Sequence, residues 1–151
     1  MVDITKPSEA AEVAVAALKQ QEIENYKALA ALETIRVNQF IPFNLHVKKT
    51  SGSDTTSQYL YTEQFEPGYV YIVTSICAMD ITDSAHQVKV GIYDGVTPFV
   101  YESATVANAG DSVEYVGQLM CKETDKIFAE FRSIGASDEI HLFVNGYKIR
   151  R

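Results

Sequence analysis

Two patterns of hydrophobic and polar positions divide the chain near residue 38. From Ser8 to Asn38 the sequence is rich in Ala, Leu, Glu, Lys and Gln, contains no Gly or Pro, and repeats apolar residues every three or four positions. These are strong helix formers in a helical pattern. The segment therefore predicts one α-helix of about 30 residues, roughly 45 Å long, with Thr5 or Ser8 able to cap its start.

After Asn38 the pattern changes to short runs of Val, Ile, Tyr, Phe and Thr, separated by Gly, Asp, Asn, Ser and Pro. Such runs are typical of strands joined by turns. Several of them alternate apolar and polar residues, which indicates one dry and one wet face. The runs predict strands near Phe40–Lys48, Gln58–Thr62, Tyr69–Met79, Gln87–Tyr93, Phe99–Ser103, Ser112–Lys122, Lys126–Ser133 and Glu139–Ile149.

The spacing leaves no room for the helical crossovers that parallel strands need. We therefore predict a mainly β fold: an antiparallel β-sandwich of about eight strands, jelly-roll-like, preceded by one long N-terminal α-helix. An immunoglobulin-like sandwich is the alternative arrangement. The expected organisation is a helical anchor or oligomerisation segment at residues 1–38 and a sandwich domain at residues 39–151.

The predicted helix carries a wide apolar stripe that is interrupted by the mostly polar stretch Lys19–Asn25. A lone helix is only marginally stable, so the stripe packs either on its own sandwich or on another molecule. The second alternative is favoured, because a sandwich usually closes its own core. The expected interface residues are Val15, Leu18, Ile23, Tyr26, Leu29, Leu32 and Ile35.

Charge narrows the classes of partner. The formal net charge is −7, with 46% hydrophobic and 22% charged residues. An acidic protein is repelled by phosphate backbones and by anionic lipid, so neither nucleic acid nor a membrane is an expected partner. The sequence has no run of about 20 apolar residues and no basic region before an apolar block, which predicts neither a membrane span nor a signal peptide.

Residues that could carry chemistry are few. His46, His86 and His141 show no metal-ligand spacing, and they are interpreted as surface strand residues. Asp80 and Asp83 are interpreted as a polar turn, with calcium binding as the alternative. No serine lies in a nucleophile motif and no glycine-rich loop precedes a helix. We expect no enzyme activity, no catalytic residue, no metal site and no cofactor.

Cysteines and tyrosines each leave two interpretations open. Cys77 and Cys121 lie within predicted strands, where small buried side chains are expected, although a disulfide between neighbouring strands is the alternative. Four tyrosines alternate on two nearby strands. They can form an aromatic platform for a sugar or a protein, or simply suit half-buried strands. These tyrosines are Tyr59, Tyr61, Tyr69 and Tyr71.

Four runs in the β-rich part resemble small β-sandwich structural proteins of tailed bacteriophage virions. They are Gly68–Asp80, Val88–Gly95, Val116–Ile127 and Ile140–Tyr147, with a closing Val-Asn-Gly-Tyr hairpin. The resemblance covers roughly residues 40–151 and excludes the helix. It implies a capsid decoration, head-associated, or neck or tail accessory protein, often trimeric, without catalytic residues.

Taken together, these features predict a virion structural protein that assembles through its helix and sandwich surfaces. The expected partners are other copies of itself, in a trimer or higher symmetric assembly, and the major capsid protein or other virion proteins. The expected location is the virion, after synthesis in the host cytoplasm. The alternative is a carbohydrate- or receptor-binding sandwich module of a virion fibre or tail.

Overall fold

A computed structural model describes residues 9–83 and 87–151, with the backbone alone described at residues 9–11, 33–38 and 55. Ser8 and His86 therefore lie outside the described residues. One helix and eight strands follow in the predicted order. They are α1 (Glu9–Gln39), β1 (Phe40–Thr50), β2 (Thr55–Tyr61), β3 (Tyr69–Asp80), β4 (Gln87–Tyr93), β5 (Pro98–Thr105), β6 (Ser112–Cys121), β7 (Lys126–Ile134) and β8 (Glu139–Arg150).

The strands form two four-stranded antiparallel sheets, with the orders β1-β8-β3-β6 and β2-β7-β4-β5. The pairs β1/β8, β2/β7, β3/β6 and β4/β5 are nested inside one another along the chain. This nesting is what a long hairpin produces when it is rolled into two sheets, so the predicted jelly-roll sandwich is confirmed. The order also leaves β1 and β2 at one lateral side of the sandwich and β5 and β6 at the other.

The core lies between the sheets and follows the predicted alternation. Val88 and Val90 of β4 are fully buried, as are Ile140, Leu142 and Val144 of β8. Except for the buried Gly91, their sequence neighbours on the opposite faces are only partly buried. Inward-facing apolar residues from both sheets therefore supply the burial that stabilises the sandwich.

The turn between β4 and β5 is formed by an aspartate followed by a glycine. Between β4 and β5, the carboxylate of Asp94 accepts hydrogen bonds from the amides of Val96 (2.8 Å) and Thr97 (2.7 Å). These two hydrogen bonds, of which the one from Thr97 has the larger effect, hold the pKa of Asp94 below its ordinary value. Gly95 follows with φ +97°, a conformation that favours glycine.

Asn145-Gly146 lies inside β8 and not in a hairpin loop. It faces an irregularity in the β3–β8 pairing between Val73 and Ser75. A side chain at Gly146 would overlap with the backbone oxygen of Ile72. The dipeptide therefore lies at a β-bulge and not at the closing hairpin that was expected for Val-Asn-Gly-Tyr, and only a glycine permits this close approach of strands.

The chain divides into two compact units, Met1–Gln39 and Phe40–Arg151. In the second unit, every strand except the fully exposed β5 contributes apolar residues to one hydrophobic core. In the first unit, the described structure is α1.

Candidate functional site

The described side chains of α1, residues 12–32, are all exposed. Among the large apolar ones, Leu18 is 66% exposed, Leu29 is 60% and Leu32 is 64%. A helix in water is stabilised mainly by burying an apolar face. The helix therefore presents large apolar side chains at its surface. No helix in the described part of the chain is long and apolar enough to cross a bilayer.

The stripe on α1 has a defined order along the helix. Val15 and Leu18 lie three residues apart near one end, and Leu29 and Leu32 repeat that spacing near the other. Residues three and four apart occupy the same helix face. Between the two apolar pairs, Glu22 lies on this face and sets them apart. Polar positions within such a seam can fix the register of paired helices.

The other predicted stripe residues are placed as follows. Ile23 is 48% exposed and Tyr26 is 69% exposed. Both lie at the polar middle of the helix, to the side of the face that carries the two apolar pairs. The side chain of Ile35 lies outside the described residues. The stripe thus presents two apolar ends around a mixed centre, and its role as an interface stays a prediction.

The predicted tyrosine platform is distributed over two sheets. Tyr59 and Tyr61 stack on each other on β2, with ring centroids 5.9 Å apart, and Tyr93 of β4 lies 5.4 Å from Tyr61. Tyr59 is 40% exposed and Tyr61 is 39% exposed. The pKa of each phenol is raised, and burial is the largest cause. Both phenols therefore remain neutral at physiological pH.

Tyr69 and Tyr71 belong to β3 in the other sheet. Tyr71 is buried against Phe65, at 4.3 Å between centroids, and against Phe43 at 5.3 Å. The ammonium of Lys148 lies 4.2 Å above the ring of Tyr69. Strand β3 therefore places Tyr69 and Tyr71 in a packed cluster, apart from the exposed pair on β2.

A groove of about 770 Å³ separates the two tyrosine groups at the side where β1 and β2 meet. We call it the β1–β2 groove. Its apolar lining comes from both sheets and from the segment after β2, and Lys48 and Lys148 contribute basic groups. Lys148 donates a hydrogen bond to Glu66 at 2.5 Å. The apolar lining residues are Phe43, Leu45, Val47, Tyr61, Phe65 and Tyr71.

Two histidines that the sequence left scattered are brought together by the β1–β8 register. His46 Nε2 lies 2.9 Å from His141 Nδ1, and His141 Nε2 lies 2.9 Å from a carboxylate oxygen of Glu139. Because the Glu139 carboxylate can only accept, His141 donates from Nε2, and its unprotonated Nδ1 accepts a hydrogen bond from the Nε2–H of His46. Among residues 9–83 and 87–151, no group of three or more His, Cys, Asp or Glu could hold a metal ion.

The remaining candidates have structural environments. Cys77 is half-buried and Cys121 is buried, and both are free thiols. Burial raises the pKa of Cys121 to about 12, which keeps its thiol protonated and unreactive. The carboxylate of Asp80 accepts hydrogen bonds from the amides of Thr82 (2.9 Å) and Asp83 (3.2 Å). This supports the interpretation of that segment as a polar turn.

Glu130 is the centre of an ion-pair network on the outer face of the second sheet. Its carboxylate lies 3.1 Å from the ammonium of Lys89 and accepts a hydrogen bond from Arg132 at 3.0 Å. Only 8% of the Glu130 side chain is exposed. Burial acts to raise the pKa of Glu130, but the hydrogen bonds from Arg132 and Lys89 outweigh it and hold the pKa below the ordinary value of 4.5.

We expect Glu130→Gln to lower the free energy of unfolding at pH 7 by about 1–3 kcal/mol, because hydrogen bonds to charged groups are lost. A lowered folded pKa stabilises the fold above pH 4.5, and this contribution disappears as the pH falls through the folded pKa. Urea unfolding at pH 7 and pH 3 should therefore show a gap between wild type and variant that narrows at pH 3. Glu123→Gln is the control. A gap of equal size at both pH values contradicts the assignment.

No protein-family model matches the chain, and neither does any curated protein. Among solved structures, the chain resembles the globular domain of the zebrafish complement 1qA protein, with a TM-score of 0.44, 13% identity, and coverage of 72% of this chain and 96% of that one. It also resembles a Bacillus endospore appendage from a family of disulfide-linked pili, with a TM-score of 0.41, 13% identity and coverage of 74% and 88%.

A phage capsid protein is among the similar structures as well. The capsid of the Helicobacter pylori bacteriophage KHP30 gives a TM-score of 0.37 and 16% identity, with coverage of 71% of this chain and 100% of that one. Likenesses at such low TM-scores and identities carry no argument about what this chain does.

Proposed function

We propose that the protein is a non-enzymatic structural subunit of a virion, a capsid decoration or cement protein or a head-associated accessory protein. In this proposal residues 1–38 are the anchor and residues 39–151 form the rigid sandwich domain. The observation that carries it is the exposure of every described side chain of α1, residues 12–32. Such a helix reaches a stable state by packing on another molecule.

The energetics support self-association through the stripe. Each Leu, Ile or Val that becomes fully buried contributes about 1.5–3 kcal/mol. Val15, Leu18, Leu29 and Leu32 lie on the shared face of α1, and symmetric copies would bury all four in each helix. Most homo-oligomers are closed and symmetric, and a trimer or higher assembly buries such a seam repeatedly.

Placement in a virion rests on the sequence resemblance of residues 40–151 to β-sandwich proteins of tailed phages. The major capsid protein or another virion protein is then the second partner, bound through sandwich surfaces. Mass spectrometry of virions, purified from the phage or host that carries this gene, tests this placement. Peptides of this chain in a fixed ratio to the major capsid protein are the expected result, and their absence from the particles contradicts it.

The mass of the full-length protein in solution tests the assembly itself. Sedimentation velocity should show one discrete species of at least three copies at micromolar concentration. A monomer at every concentration contradicts the proposal, because the stripe of α1 would then remain in water.

A second candidate function is carbohydrate or receptor binding by a fibre or tail module. The exposed stack of Tyr59 and Tyr61 on β2 favours it, since aromatic faces bind sugar rings. A glycan array should then give signals that Tyr59→Ala abolishes while Tyr101→Ala leaves them intact. Binding that is absent, or equal in both variants, contradicts this candidate.

A further inference from the structure

Three side chains on the outer face of the sheet β1-β8-β3-β6 form a short chain of hydrogen bonds. His46 of β1 lies diagonally across from His141 of β8, and Glu139 is the neighbouring residue of β8 on the same face. Nε2 of His46 and Nδ1 of His141 are 2.9 Å apart, and Nε2 of His141 lies 2.9 Å from the Glu139 carboxylate. We call His46 and His141 the histidine pair.

The rings of the histidine pair are held by stacking. Their centroids lie 5.1 Å apart at an interplanar angle of 18°, and the ring of Phe143 lies 4.3 Å from that of His46. The His141 side chain is mostly buried, with 12% of its surface exposed, whereas His46 is exposed. Because the rings are stacked, their two facing nitrogens stay within hydrogen-bond distance as long as β1 is paired with β8.

Other ionisable side chains surround the pair on this face and along the adjoining β1–β2 groove. The ammonium of Lys48 lies 3.9 Å from the Glu139 carboxylate, so this carboxylate already shares its charge with a cation. Cys77 is a free thiol whose pKa is raised, mainly by burial, and it therefore stays neutral. The full set is Lys48 of β1, Cys77 of β3, Glu114 of β6, Lys148 of β8, and Tyr61, Glu63 and Glu66 in and after β2.

The number of protons on the histidine pair decides whether its hydrogen bond can form. The pair has four ring nitrogens, and in the neutral state two of them carry a proton, which leaves an acceptor for the bond. One added proton still leaves one nitrogen that can accept. A second added proton makes all four nitrogens donors, so the two facing nitrogens, 2.9 Å apart, then belong to two cations that repel each other. Histidines take up these protons between about pH 8 and pH 5.

We propose that the histidine pair is a pH-sensitive latch, which holds β1 to β8 near neutral pH and releases it in mild acid. Strand β1 lies at the edge of its sheet and pairs with β8 along its length. Edge elements open locally at a lower free energy than core strands do. Helix α1 ends at Gln39 and β1 begins at Phe40. Acidification therefore loosens the strand that joins α1 to the sandwich.

Hydrogen exchange of the full-length protein at pH 7.5 and pH 5, at one protein concentration, tests the latch. Protection factors, which correct for the effect of pH on the intrinsic exchange rate, should fall at least about tenfold in residues 40–50 of wild type. A tenfold change corresponds to about 1.4 kcal/mol, which is about what one lost hydrogen bond costs. Strand β3 is paired on both sides and should change by less than about threefold.

Two conservative variants separate the latch from general sensitivity to acid. His46→Gln and His141→Gln each supply an amide that can donate to or accept from the remaining histidine, so a hydrogen bond persists whether that histidine is neutral or charged. In both variants the protection of residues 40–50 should change by less than about threefold between the two pH values. His86→Gln is the matched control, because it removes a histidine but keeps the pair, and it should show the same fall as wild type.

A wild type whose β1 keeps its protection at pH 5 contradicts the latch. A fall of equal size in His46→Gln and His141→Gln also contradicts it, because groups other than the pair would then cause the opening. If neither variant folds, nitrogen NMR of the wild-type imidazole rings gives the answer. At pH 5 all four nitrogens of the pair should carry protons, and an unprotonated nitrogen that persists there overturns the proposal.

Discussion

The variant carrying Leu18→Glu and Leu29→Glu should assemble at least about a hundredfold more weakly than wild type. Each leucine contributes about 1.5–3 kcal/mol when it is fully buried, and about 1.4 kcal/mol corresponds to a tenfold change in a dissociation constant. Both residues lie on the same face of α1, 66% and 60% exposed. Sedimentation equilibrium of the full-length protein measures the change.

A control with the same number of added charges is available on the other face of α1. Val13 and Ala31 are both exposed and lie about half a turn away from the stripe at 3.6 residues per turn. The variant with Val13→Glu and Ala31→Glu should assemble within about threefold of wild type, because surface changes of this kind have small effects. Equal weakening by the two variants contradicts the assignment of the stripe.

Gly91→Ala should destabilise the sandwich by about 3 kcal/mol, at the upper end of what overpacking usually costs. Gly91 is buried at an irregularity in the β4–β5 pairing, where the register shifts next to Val90. A side chain at this position would overlap with the backbone oxygen of Phe99 and press on the ring of Phe128. Because the first obstacle is backbone, the change requires a shift of strand β5.

Urea unfolding of the variant, compared with Gly52→Ala, measures this effect. A side chain at Gly52 meets no atom within 4 Å, so that control should stay within about 0.5 kcal/mol of wild type. Equal stability of Gly91→Ala and wild type would show that β5 does not approach β4 as closely as described.

The elements of the fold could be predicted from sequence because they depend on local patterns. Val88 and Val90 alternate with polar neighbours because every second residue of a strand faces the core. The helix could be predicted because residues 9–38 contain neither Gly nor Pro and are rich in strong helix formers. Strand ends shifted by a few residues, as at β2, which begins at Thr55 where Gln58 was predicted.

The surfaces could not be predicted because they depend on which strands become neighbours. The four tyrosines were grouped by closeness in sequence, but β2 and β3 belong to different sheets, so Tyr61 is exposed while Tyr71 is buried. His46 and His141 are 95 residues apart and meet only through the β1–β8 register. Likewise, the exposed Phe99 and Tyr101 follow an ordinary strand pattern, and only the position of β5 at a sheet edge makes them part of a surface.

We propose that α1 is covered by other copies of the protein. Hydrogen exchange of the backbone amides in residues 12–32, measured over a wide range of protein concentrations, tests it most directly. A helix that is exposed in the monomer and packed in the assembly should exchange quickly at low concentration and become protected as the concentration rises. Protection that is the same at every concentration would contradict self-association through α1.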